Sequence, residues 1–137
     1  MAQSDDPVRL VLAYIAAAQR ARATRQEADW DAMRHFLAPD VVFKMAGPWT
    51  DDPWRVFFTS ADAVIERLKA PINSASSLAT ENVNVQLAGD DVVVEQLSII
   101  TDEGGRHVSM VCHIFSVQDG VITGVRAYRN DNGIPVG

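Results

Sequence analysis

Cysteine is almost absent from this chain of 137 residues, because Cys112 is the only one. A single cysteine forms no disulfide within the chain, and its neighbours Val111 and Ile114 predict a buried strand position. The N-terminus carries Ser4-Asp5-Asp6 rather than a basic segment followed by an apolar run, and no apolar run reaches the roughly 18 residues of a membrane span. We therefore expect a reduced, cytoplasmic protein with no membrane partner.

Positive charge is also scarce. The 12 Lys and Arg residues are scattered along the chain, and the 18 Asp and Glu residues outnumber them to give a net charge of -6. A nucleic-acid or anionic membrane surface would require clustered Lys and Arg. Neither is expected as a partner.

Several catalytic motifs are missing as well. The chain has no Gly-rich phosphate loop and no Gly-x-Ser-x-Gly elbow, so nucleotide chemistry and serine hydrolysis have no support. The three histidines, His35, His107 and His113, do not have the spacing of a metal site. We expect no metal and no cofactor.

The overall composition is that of an ordinary globular protein. Hydrophobic residues make up 47% of the chain and charged residues 22%, which is enough to bury a core in a chain of this length. One domain over residues 1–137 is expected, with an ordered core at about 6–131.

Three helices are predicted in the first half. Asp6 and Pro7 form a helix start, and apolar residues at helical spacing continue to about Thr24. A short second helix follows Asp29, carries Trp30, Met33, Phe36 and Leu37 on one face, and is stopped by Ala38-Pro39. Thr59 and Asp62 resemble a capping box for the third helix, which ends at Ala70-Pro71.

The second half of the chain is predicted to form strands. Runs at about 78–88, 92–101, 106–118 and 121–130 are separated by turn residues such as Asp119-Gly120, and this predicts an antiparallel meander. A brief strand is expected at Val41–Met45, an aromatic-rich loop at 46–59, and an irregular tail after Asn130. Helices followed by strands define an α+β domain.

A family resemblance rests on this order of elements and on the ending Asp119-Gly120-Val121-Ile122-Thr123-Gly124-Val125-Arg126-Ala127-Tyr128-Arg129-Asn130-Asp131. Together with Thr59-Ser60-Ala61-Asp62-Ala63-Val64-Ile65, it is similar to the nuclear transport factor 2-like superfamily, and more narrowly to its SnoaL-like branch. The resemblance covers nearly the whole chain. It implies a cone in which helices close over a curved antiparallel sheet around an apolar pocket. This fold hosts isomerases, cyclases, hydrolases and noncatalytic modules.

The catalytic carboxylates of well-known relatives are not found in this chain. Where limonene-epoxide hydrolase-like proteins activate water, the resemblance places Gln96, Ser98 and Ala127, with Phe43 and Met45 at the water-positioning sites. Relative to ketosteroid isomerase-like proteins, only the tyrosine is kept, as Tyr14, because Met45 and Val111 replace the acids. Ala127 also replaces the base of SnoaL-type polyketide cyclases. The Asp-Arg-Asp type of epoxide hydrolysis is therefore not expected.

A different set of side chains is expected to line the pocket. If the strands have the phase of relatives, Ser109, Val111, His113 and Phe115 face inward. The substrate-binding set predicted in this way is Phe43, Met45, Trp49, Trp54, Gln96, Ser98, Ser109, Val111, Phe115 and Ala127. Trp49 and Trp54 flank Asp51-Asp52 and could either cover the pocket mouth or pack into the core.

Three residues are candidates for chemistry. His113 can exchange protons near neutral pH, although a strand histidine may simply bond to a neighbour. Arg129 could bind a carboxylate or an enolate-like oxygen, or pair with an acidic side chain. Tyr14 could donate to a ligand oxygen or to a backbone carbonyl.

The outward strand residues are unusually apolar. They comprise Leu97, Ile99, Met110, Cys112 and Ile114. A homodimer through the outer face of the sheet would cover them, and the chain's own tail is the alternative.

Two functions follow as hypotheses. The first is an enzyme of isomerase, cyclase or dehydratase type that transfers protons on a small apolar, cyclic or polyketide-like molecule, with His113, Arg129 and Tyr14 as catalytic residues. The second is a noncatalytic small-molecule binder of the same fold. A purely structural dimerisation module is a third possibility.

Overall fold

The computed structural model describes residues 6–46, 54–70 and 77–129, apart from the side chains of Arg55, Ser77, Leu78 and Arg129. The elements in chain order are α1 (Pro7–Thr24), α2 (Glu27–Arg34), β1 (Leu37–Ala46), β2 (Trp54–Phe58), α3 (Ala61–Lys69), β3 (Ser77–Ala88), β4 (Asp91–Asp102), β5 (Gly105–Gln118) and β6 (Val121–Arg129). Three helices therefore accompany six strands, which is an α+β arrangement, as predicted. Trp49, the Asp51-Asp52 pair and the expected tail after Asn130 lie outside the described residues.

Helix α1 begins and ends where the sequence predicts. The Asp6 carboxylate accepts a hydrogen bond from the Val8 amide at 3.0 Å, and Pro7 occupies the first turn, where its missing N–H costs nothing. The helix ends at Thr24 because Arg25 adopts a left-handed conformation with a φ of 59°. Its buried face comprises Leu10, Val11, Tyr14, Ile15, Ala18 and Ala21.

Helix α2 is shifted from its prediction. It spans Glu27–Arg34, so Trp30 and Met33 lie on its buried face, but Leu37 already belongs to β1. The cause is tertiary: the Phe36 carbonyl accepts a hydrogen bond from the Ile122 amide at 2.8 Å, which starts the pairing of β1 with β6. Pro39 therefore lies within a strand and does not stop a helix. It is tolerated because β2 pairs with β1 only from Phe43 onward, which leaves this edge open.

The aromatic-rich segment also differs from the prediction of a loop. Residues Trp54–Phe58 form β2, which is antiparallel to β1 and pairs Phe58 with Phe43. The following helix is capped one residue later than predicted, because the Ser60 hydroxyl, and not that of Thr59, accepts from the Ala63 amide at 3.1 Å. Thr59 had the capping-box spacing, but Ser60 has the extended backbone that a cap requires.

The six strands form one curved, unclosed sheet in the order β2-β1-β6-β5-β4-β3. Strands β3 to β6 are the predicted antiparallel meander, whereas β1 pairs with β6 in parallel, so the sheet is mixed. The turn between β5 and β6 consists of Asp119 and Gly120, both with positive φ, as in the turns that match strand twist. Irregularities at Asn82/Asn84 and Ser116/Val117 interrupt the pairing, and such bulges bend a sheet.

The two faces of the sheet have different surroundings. Helix α1 contacts β3 and β4, and α3 contacts β1 and β2, so the helices cover one face, which we call the inner face. Directly paired residues such as Val92, Phe115 and Val125 share this face and are buried. The opposite, outer face carries the next residues along each strand, including Leu97, Met110 and Tyr128, all of which stay partly or largely exposed.

No helix in the described part of the chain is long and apolar enough to cross a membrane.

Candidate functional site

A chain of three polar side chains crosses the inner face. Gln96 on β4 lies between Asn82 on β3 and His113 on β5, because β4 is the strand between β3 and β5 in the sheet. Gln96 Nε2 donates to Asn82 Oδ1 at 2.8 Å, and Gln96 Oε1 lies 3.2 Å from His113 Nδ1. Gln96 is only 6% exposed, and no other polar residue of the described part is so fully buried. A buried amide is retained at low cost only when both its ends are bonded, as here.

The direction of these hydrogen bonds assigns the proton on His113. Because the Gln96 amide nitrogen is directed to Asn82, its carbonyl oxygen faces the imidazole and can only accept. His113 Nδ1 therefore carries the hydrogen, and in the neutral ring Nε2 carries the lone pair. The neutral Gln96 amide therefore orients the imidazole and selects its tautomer.

Tyr14 and His113 meet through a third ring. The Tyr14 and Phe115 rings are 6.0 Å apart in an edge-to-face arrangement, and the His113 and Phe115 rings are 5.9 Å apart. Tyr14 comes from α1 and the other two from β5, so the packing of this helix on the sheet forms the cluster. The structure thus brings together two of the three predicted catalytic residues.

Burial strongly raises the pKa of the Tyr14 hydroxyl, and the charge of Arg22 opposes this effect only in part. The hydroxyl therefore keeps its proton across the physiological range. It makes no hydrogen bond to the part of the chain that the structure describes. A protonated donor without an acceptor among the described residues can donate to a ligand oxygen.

Arg22 is a functional candidate that the sequence reasoning missed. Arg22 follows Tyr14 and Ala18 at intervals of four residues, so it lies on the same side of α1 as these two buried residues. Burial lowers the pKa of its guanidinium, and the nearby Tyr14 raises it slightly. The helical spacing of Tyr14, Ala18 and Arg22 was a signal in the sequence, but an arginine late in a helix is normally assigned to the surface.

Asn82 and the pair formed by Gln19 and Thr80 were also missed. Gln19 Nε2 donates to the Thr80 hydroxyl at 2.9 Å and ties the last turns of α1 to β3. Asn82 follows Thr80 by two residues and so shares its face. No signal in the sequence fixes the pairing of β3 with β4 closely enough to place Asn82 beside Gln96, because a bulge follows at once.

The other predicted binding residues on the inner face are placed as follows. Val111, Phe115 and Ala127 are buried, at 6%, 3% and 8% exposure. Ser98 and Ser109 pair directly across β4 and β5, further along the same hairpin, and both are partly exposed. Phe43 packs against Phe58 at 6.0 Å, and Met45 is paired with Ala127. The predicted phase of the strands is therefore the one observed.

The position of the Trp54 side chain differs from the prediction. Its ring lies against Tyr128 at 5.4 Å, and the Lys44 ammonium sits 4.9 Å from its centre. Tyr128 pairs with Cys112 on the outer face, so the placement of Trp54 among the inward residues is wrong. The physical reason is that the segment before α3 is a strand and its pairing with β1 sets the direction of the indole.

Two predicted site residues fall wholly or partly outside the described part of the chain. Trp49 lies outside the described residues. For Arg129 the structure describes the backbone alone, which pairs with Val111, so its predicted role stays a prediction.

Sites of other kinds are not evident in the described ranges. No group of three or more His, Cys, Asp or Glu side chains there could hold a metal ion. A surface groove lies between the start of α1, the end of α2 and the β5–β6 turn, and its lining includes Asp6, His35, Asp119 and Thr123. It contains none of the residues of the His113 cluster.

Comparison with known proteins agrees with this architecture. A family model described as SnoaL-like domain matches residues 14–125. No curated protein sequence matches the chain.

Three solved structures with the same fold carry different functional descriptions. One is an LEH-like epoxide hydrolase of M. tuberculosis, with a TM-score of 0.63, 20% identity, and coverage of 90% of this chain and 82% of the other. An NTF2-like protein from Burkholderia thailandensis has a TM-score of 0.67, 20% identity and coverage of 93% and 92%. A Jannaschia protein provisionally described as a SnoaL-like polyketide cyclase has a TM-score of 0.65, 14% identity and coverage of 98% and 100%. At such identities the likeness establishes the fold alone.

Proposed function

Because this chain belongs to the SnoaL-like domain family, whose fold hosts several chemistries, we propose from the site itself that it is an enzyme acting by proton transfer. The observation that carries the proposal is the hydrogen-bonded chain from Asn82 through Gln96 to His113 on the inner face. It orients the imidazole of His113, whereas His107, further along the same face of β5, lies at the exposed end of the hairpin. The reaction class is that of an isomerase, cyclase or dehydratase.

His113 acts as the proton carrier. With Nδ1–H held by Gln96, the neutral ring accepts a proton at Nε2 from a carbon next to a carbonyl group and returns it to another position. A positioned general base of this kind contributes about 10²- to 10⁴-fold in rate. Gln96 and Asn82 are positioning residues, since they act through His113.

Tyr14 stabilises the oxygen on which negative charge develops. The raised pKa of Tyr14 keeps its hydroxyl protonated, so it donates a hydrogen bond to an enolate-like oxygen and does not itself ionise. Its edge-to-face contact holds the ring against Phe115, which also contacts the His113 ring. Arg129, whose backbone continues β6 at this level, is retained as a second candidate for this role.

The substrate is a small apolar molecule, cyclic or polyketide-like, in an internal pocket. Apolar side chains predominate on the inner face around the cluster, and they include Val94, Val111, Phe115 and Ala127. Phe43, Met45, Ser98 and Ser109 extend the proposed lining along neighbouring strands.

A test of proton transfer needs no knowledge of the natural substrate. Deuterium incorporation next to the carbonyl group of cyclic ketones such as 1-indanone and 1-tetralone is followed by NMR in D₂O. The wild-type protein should accelerate the exchange for at least one ketone. His113→Ala should reduce the acceleration about 10²- to 10⁴-fold, whereas His107→Ala, at an exposed hairpin tip, should retain it. Equal acceleration by His113→Ala and wild type would contradict the assignment of His113.

A noncatalytic binder is the second candidate, and one observation favours it. Among the described residues, the inner-face positions of β4, β5 and β6 carry one carboxylate, Asp102 at the far end of the β4–β5 hairpin, although acids are the groups that serve relatives as bases. Saturable binding of the same ketones without any acceleration of exchange in the wild type would support this alternative over the enzyme.

We also propose that the protein is a homodimer through the outer face. Leu97, Met110 and Ile114 leave apolar surface partly exposed there. On the same face Asp91 of β4 and Arg126 of β6 already form an ion pair within the chain at 3.4 Å, and the two partners of a two-fold dimer would use this same surface. The solitary Cys112 on this face also fits a reducing, cytoplasmic setting.

The dimer is tested by mass in solution. Leu97→Glu buries a charge in the proposed interface and should give a monomer by light scattering. Val83→Glu, at an exposed bulge of β3, should remain a dimer. A monomeric wild-type protein would exclude this interface.

A further inference from the structure

Arg22 is a cation on the inner side of α1. It is partly buried, and it follows the buried residues Tyr14 and Ala18 at intervals of four, so all three lie on one side of the helix. Side chains of helical residues lean toward the helix N-terminus. The guanidinium group is accordingly close enough to Tyr14 for each to affect the pKa of the other.

Arg22 also differs from its neighbours in having no partner. Arg20 binds the Asp29 carboxylate at 3.0 Å, and Arg25 donates to the Lys69 carbonyl. Arg22 makes no ion pair or hydrogen bond with any residue of the described ranges. A guanidinium group has five N–H donors and is costly to remove from water unless they are used. Structural stability therefore does not account for an arginine at this position.

We propose that Arg22 binds an anionic group of the substrate, so that the substrate is an apolar carboxylic acid. This inference rests on the proposed function, because it assigns the substrate class of the same site. The fork of a guanidinium group matches a carboxylate with two parallel hydrogen bonds. The apolar remainder of the molecule would lie along Phe115 and Val111, with its reacting carbon toward His113.

The surroundings of Arg22 suit this role. The Gln19 side chain is bonded to both the hydroxyl and the carbonyl of Thr80, at 2.9 and 3.3 Å, and these contacts fix the end of α1 over β3. A fixed helix holds the guanidinium group in place before the ligand arrives, which reduces the entropy lost on binding. Tyr14 is close to Arg22 and shares its contact with Phe115 with His113, so one ligand along this side of α1 would reach all three.

The experiment compares a matched acid and amide. Calorimetric titration with 2-naphthoate and 2-naphthamide reports the ratio of the two dissociation constants for wild type, Arg22→Gln and Arg9→Gln. The wild type should bind the acid about 10- to 100-fold more tightly, as expected for a charge-assisted pair. Arg22→Gln should bring the ratio close to one and leave the affinity for the amide unchanged. Arg9 is exposed on the same helix, so Arg9→Gln should keep the wild-type ratio.

A thermal melt of each variant gives a second measurement that does not depend on binding. Because Arg22 is partly buried and unpaired, Arg22→Gln should melt at the same temperature as the wild type or higher. A lower melting temperature with an unchanged acid-to-amide ratio would overturn the proposal by making Arg22 a structural residue. Tight binding of the amide with no preference for the acid would overturn it too, but would leave the proposed function standing. If the wild type bound neither probe, both the assignment of Arg22 and the proposed function would be contradicted.

Discussion

Replacing Gln96 with Leu should move the proton on the neutral His113 ring from Nδ1 toward Nε2. In the wild type the Gln96 carbonyl oxygen lies 3.2 Å from Nδ1, and the amide nitrogen is held by Asn82 at 2.8 Å. A leucine of similar size fills the space but accepts no hydrogen bond. The preference for the Nδ1–H tautomer should therefore disappear.

The size of the effect follows from the bond that is lost. A neutral hydrogen bond contributes about 0.5–1.5 kcal/mol net, which corresponds to a change of about 2- to 13-fold in the ratio of the two tautomers. Asn82→Ala should have a smaller effect in the same direction, because it frees the Gln96 amide to rotate without removing its oxygen. Ser98→Ala, on the same strand and face, should have none.

The assay is a long-range ¹H–¹⁵N correlation spectrum of protein labelled at histidine. It is recorded at about pH 8.5, two units above the ordinary imidazole value of about 6.5. His107 provides an internal reference, because its Nε2 lies 3.2 Å from the Asp102 carboxylate and must carry the hydrogen of that contact. The two histidines should thus show opposite tautomers in one spectrum. Finding His113 as Nε2–H in the wild type, or an unchanged tautomer ratio in Gln96→Leu, would refute the directions assigned to the hydrogen bonds among Asn82, Gln96 and His113.

Three further predictions concern the fold and its pH dependence, and all are measured by denaturant unfolding. Ser60→Ala should lower the free energy of unfolding by about 1 kcal/mol, whereas Thr59→Ala should leave it unchanged, because Ser60 is the cap of α3; equal effects would contradict the observed cap. Ile65→Ala, at a fully buried position, should lower the free energy of unfolding by about 2–5 kcal/mol; a loss below about 1 kcal/mol would argue against the packing of α3. Hydrogen bonds from Thr24 and Arg20 lower the pKa of Asp29 below its ordinary value of 3.8, so its contribution to stability is present above that pH and lost as the pH falls through the folded-state value. Asp29→Asn should therefore be less stable than wild type at pH 7 and equally stable in strong acid; a constant difference would exclude this linkage.

The elements governed by local chemistry were predictable from the sequence. Helix α1 has its cap at Asp6, proline in its first turn and an unbroken apolar face, and it lies where these signals place it. The β3–β6 meander was equally clear, because Gly and Asp mark each turn between long β-branched runs. Alternation along β5 placed Val111 and Phe115 on one face, and the resemblance to relatives assigned this face, together with Gln96, to the interior.

The elements governed by distant pairing were not predictable. Leu37 joins β1 because β6, some eighty residues later in the sequence, offers a parallel partner at Ile122. Trp54 turns to the outer face because β2 pairs with β1, and no local pattern in a short aromatic segment reveals that register. The partners of His113 are a similar case: Gln96 could be proposed from alternation, but Asn82 depends on the position of a bulge in β3.

The partner of His113 on β4 is a neutral amide and not a carboxylate. A carboxylate at the position of Gln96 would stabilise the imidazolium form and so make the ring a weaker acid for returning the proton. The Gln96 amide orients the ring through a hydrogen bond and carries no charge of its own. A proton carrier that must both accept and release a proton near neutral pH benefits from such a neutral partner. In the proposed site the negative charge that develops on the substrate would then be met by Tyr14, which stays protonated, while Arg22 would hold the separate carboxylate of the substrate.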